Sequence, residues 1–141
     1  MLVGVLGNQQ QIENKYGAEN VRVWSNPDNA SPGVATNVNS LQQAMNVADS
    51  YLESMFFTQG NYAVPPGAGQ NSMGIVTDWW VTIAAWSLYT ARGLRDSGKN
   101  NAMQAEYKRV VAAIQFYASG SGANRLQLGY RWPVADTPTV Y

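Results

Sequence analysis

Asp49 and Glu53 are the two residues whose spacing most resembles catalytic machinery. On a helix, side chains four apart share a face, so two carboxylates could converge on one point. The plainer expectation is a solvated helical face. The other carboxylates are scattered along the chain, and no Asp-rich loop of the calcium-binding type occurs. There is no His and no Cys. That excludes imidazole and thiolate metal ligands, disulfides, and the commonest general base. Ser72, Ser97 and Ser119 therefore have no imidazole to activate them. Gly67-Ala68-Gly69 and Gly120-Ser121-Gly122 are not followed by Lys at the spacing a phosphate-binding loop needs. Trp79, Trp80 and Trp86 could stack on a sugar or a base, but they sit inside an apolar run where core packing is expected. These residues point to no catalysis, no cofactor and no metal.

The rest of the composition agrees with a structural role. With 141 residues the chain has the length of a single domain and can bury a real core. Nine basic and nine acidic residues cancel, so the basic footprint of a nucleic-acid binder is missing. Charged residues make up 13%, about half the usual share, which leaves little self-repulsion to keep copies apart. Residues 1–7 are apolar but lack a basic flank and a full apolar core, so no secretory leader is expected. The expected location is the cell, or a particle built there.

The elements that must position these residues are helices. Residues 75–94 are apolar on nearly every face of a helix, so this segment is expected at the centre of the core. Asp78, Thr82, Ser87 and Arg92 interrupt it, and its apolar part falls short of the roughly 20 residues of a membrane span. Thr77 or Asp78 is the expected N-cap; Arg92, Gly93, Arg95 and Gly98 are the expected end signals. Residues 1–7 can form a short strand or an extended arm. Asn8 can cap a short helix over 9–16 that Gly17 ends. Within 19–24, Val21 and Val23 alternate with Arg22, a strand-like pattern too short to decide. A second helix is expected over 37–57, with Leu41, Met45, Ala48, Leu52 and Met55 in one stripe, widened by Val38, Ala44, Tyr51 and Phe56. Asn39 and Gln42 have the spacing of a capping box. A last helix, 101–119, buries Met103, Tyr107, Val110, Ile114 and Tyr117.

Two segments outside these helices have the composition of contact surfaces. The loop at 58–72 contains Tyr62, Pro65 and Pro66, and a loop of that length is usually functional. In the tail, Leu126, Leu128, Tyr130 and Trp132 alternate with Gln127, Gly129 and Arg131, which suits an edge strand or an extended arm. Aromatic residues flanked by Arg are favoured at interfaces. The expected division is a helical domain over 1–122 and an extended arm over 123–141.

Taken in order, the pieces resemble the small head–tail connector, or adaptor, proteins of tailed phages and Mu-like prophages. The likeness rests on Lys15-Tyr16-Gly17-Ala18-Glu19-Asn20-Val21, then Ala44, Ala48-Asp49 and Tyr51-Leu52. It continues through Asn61-Tyr62-Ala63-Val64-Pro65, Ala84-Ala85-Trp86-Ser87-Leu88-Tyr89, Glu106-Tyr107-Lys108 and Ala118-Ser119-Gly120. It covers about residues 8 to 128; the Pro-rich tail past Gly129 has no counterpart.

The resemblance implies an all-α subunit, a small bundle of one short N-terminal helix and three main helices. It implies a virion protein of the neck, assembled in the host cytoplasm into a ring of roughly twelve copies beneath the portal. Its partners would be the portal protein, neighbouring copies of itself and other neck or tail proteins. DNA would pass through the lumen without specific binding. A different class of function is a monomeric helical module whose Trp79, Trp80 and Trp86 line a ligand pocket.

Overall fold

The computed structural model describes residues 2–26, 34–57, 73–91 and 101–118. They form a small all-α bundle of five helices. In chain order these are α1 (Gln9–Tyr16), α2 (Ala18–Ser25), α3 (Val38–Leu52), α4 (Met73–Ala91) and α5 (Asn101–Tyr117). The boundary expected at 122/123 lies outside the described residues.

The short helices are set by local chemistry. Asn8 accepts the Gln11 backbone N–H at 3.0 Å, and the Gln11 side chain accepts the Asn8 N–H at 2.9 Å, a complete capping box. Gly17, at φ +97°, ends α1 and lets α2 begin at the next residue. The segment with the strand-like alternation is thus a helix, one more than the expected bundle contained. Its period is that of Val21 and Ser25, one turn apart and both buried, while Glu19 and Arg22 pair on the outside. Trp24 lies edge-on to both Tyr16 and Tyr89, tying α2 to α1 and α4.

In α3 the buried face is Leu41, Ala44, Met45, Ala48, Asp49 and Leu52, essentially the expected stripe. Val38 is exposed and does not widen it. The cap is Asn37, not Asn39: its side chain accepts the backbone N–H groups of Asn39 and Ser40, both at 3.1 Å. Asn39 already lies in the first turn. The helix runs on into one wider π turn, Glu53–Phe57, within which Phe56 is fully buried and stacks on Trp79 at 5.9 Å.

As expected, α4 is central: it packs against α1, α2, α3 and α5. Val76, Trp79, Trp80, Val81, Ile83, Ala84, Ala85 and Leu88 are all buried. It starts at Met73, so Thr77 and Asp78 lie inside it and cap nothing. Their oxygens serve tertiary partners instead: Thr77 donates to the Leu6 carbonyl and Asp78 pairs with Lys15. The expected end signals at 92–98 lie outside the described residues. Helix α5 lies on α4 through Val110 and Ile114, with Met103, Tyr107 and Tyr117 partly buried beside them.

Residues 2–7 are neither strand nor free arm. They form a hook closed by Gly4 N–H to Gly7 O at 2.8 Å and Gln9 N–H to Leu2 O at 2.9 Å. Leu6 points into the core and Val3 and Val5 point out. Gly4 and Gly7 lie against the fully buried Trp80 ring. A Cβ on Gly7 would meet Trp80 Cζ3 at 2.6 Å. Gly7→Ala is therefore expected to cost about 1–3 kcal/mol by overpacking. Gly74→Ala, which meets open space in the first turn of α4, should be neutral or slightly stabilising. Urea unfolding midpoints of the two variants check the contrast.

Candidate functional site

Asp49 does not face solvent. It is 8% exposed, and its carboxylate accepts only N–H donors. Trp80 Nε1 donates to Oδ1 at 2.7 Å. The Val5 amide donates to both oxygens, at 3.0 and 3.1 Å, and the Leu6 amide reaches Oδ1 at 3.4 Å. The solvated-face expectation is thereby overturned for Asp49. The hook brings backbone amides to the carboxylate, and α4 brings the indole. Glu53, in the π turn, is not among its partners. Asp49 thus acts as an internal anion in a nest of amides, a structural clamp between the hook, α3 and α4.

A second polar centre joins three helices. Lys15 at the end of α1 donates to Asp78 Oδ1 at 3.0 Å, to Thr82 Oγ1 at 2.8 Å and to Glu106 Oε2 at 3.2 Å. All three ammonium protons are thus directed, two at α4 and one at α5. Burial opposes the charge on Lys15, but the Asp78 hydrogen bond, the nearby negative charge and Glu106 together hold its pKa above the usual lysine value. The Glu106 carboxyl is held below the usual range, chiefly by the Arg109 hydrogen bond; burial opposes this, and the Lys15 hydrogen bond and the charges of Lys15 and Arg109 add to the lowering.

Beside Lys15 a cleft of about 650 Å³ runs between α1 and the first half of α4. Gln11 and Asn14 form one wall, Thr77, Asp78 and Val81 the other, with Gly74 at its end. Its size is in the range of small-ligand sites, roughly 300–1,000 Å³. A smaller crevice of about 150 Å³ lies between α3 and α4, beside Ala44, Val47 and Ser87.

Trp79 and Trp80 are core residues and line neither cleft. Trp86 is half-buried and stacks on Tyr107 at 5.3 Å and on Tyr89 at 6.0 Å. Among the described residues no group of three or more acidic side chains could hold a metal ion, and no helix is long and apolar enough to cross a membrane. The contact residues expected from sequence, Tyr62, Pro65, Pro66, Leu126, Leu128, Tyr130, Arg131 and Trp132, lie outside the described residues. The α1–α4 cleft was not foreseen. Its one sequence signal is the spacing of Gln11, Asn14 and Lys15 on one face of α1. Compared with known proteins, the chain matches no family model, no curated protein and no solved structure.

The Lys15 centre has a defined pH window. Lys15, with its raised pKa, contributes stability below the ordinary lysine value of 10.5 and loses it as pH rises through the higher folded value. Glu106, with its lowered pKa, contributes above the ordinary 4.5 and loses it as pH falls through the lower folded value. Lys15→Met is expected to cost about 1 kcal/mol at neutral pH, allowing for partial solvent screening. The deficit should shrink in acid, as Glu106 takes a proton. Denaturant titrations of both proteins at neutral and acidic pH read this difference.

Proposed function

We propose that this chain is a structural assembly subunit of the head–tail connector kind, forming a ring beneath a phage portal on the DNA exit path. The observation that carries the reading is where the connector-like motifs fall in the fold. Tyr16-Gly17 makes the break between α1 and α2. Ala44, Ala48 and Leu52 lie on the buried face of α3, and Ala84, Ala85 and Leu88 on that of α4. These residues build a helical scaffold, and their order in the sequence is the order of its packing surfaces. The polar centres support the same reading. Asp49 and Lys15 spend their hydrogen-bonding capacity inside the fold, which suits a subunit whose charges hold its shape. A net charge of zero suits a wall that DNA slides past without sticking.

Antibody against the chain, applied to purified virions of the source phage, should label the vertex between head and tail. Absence of the protein from the particle overturns the proposal. Removal of residues 123–141 is expected to leave the far-ultraviolet circular dichroism of the helices nearly unchanged while abolishing assembly. Loss of the helical signal would make the segment part of the core and not a contact arm.

A further inference from the structure

We draw no further inference here: the strongest candidate, the surface patch at the C-terminal end of α5 where the aromatic row of Phe56, Trp79 and Tyr117 leads outward to the exposed Phe116, is an apolar face, and nothing in the structure shows what covers it.

Discussion

The buried carboxylate of Asp49 is the constraint on which the arrangement of the described helices depends. Placing a charge in a core is costly unless its lone pairs are filled. Here they are filled by the indole N–H of α4 and by two amides of the hook. One side chain therefore fixes three otherwise separate pieces: α3, which carries it; α4, whose Trp80 it orients; and residues 2–7, which pack their glycines on that indole. The apolar contacts around it are non-directional and would tolerate several alignments of α3 on α4. The hydrogen bonds to Asp49 select one.

Lys15 plays the corresponding part where α1 meets α4 and α5. It links α1 to α4 and α5 through three directed bonds. Asp49, Lys15, Asp78 and Glu106 sit where helices meet, while Glu19 and Arg22 pair on the outside of α2.

Much of the fold was legible because it is local. The Asn8 cap, the Gly17 stop, the buried stripes of α3 and α5 and the apolar character of α4 follow from period and cap chemistry within a turn or two. Helix α2 was legible only in part. Six residues carry the strand-like alternation of Val21, Arg22 and Val23, and only burial of Val21 with Ser25 against the core decides for the helix. The start of α4 was misplaced for a related reason. Thr77 and Asp78 are good cap residues, but their oxygens are engaged with Leu6 and Lys15, far away in sequence.

The sequence by itself determined that the segments of α1, α3, α4 and α5 are helical, which of their faces are apolar, and that no imidazole or thiol chemistry is possible. Those properties reside in residue types and short spacings, and each needs only a few neighbours to be expressed. The tertiary structure alone decided what Asp49 and Lys15 do and that a cleft opens between α1 and α4. A carboxylate one turn from another reads as surface until groups 31 and 44 residues away arrive to fill its lone pairs. The physical reason is that a polar group's role is set by who completes its hydrogen bonds, and for these residues the partners come from other helices.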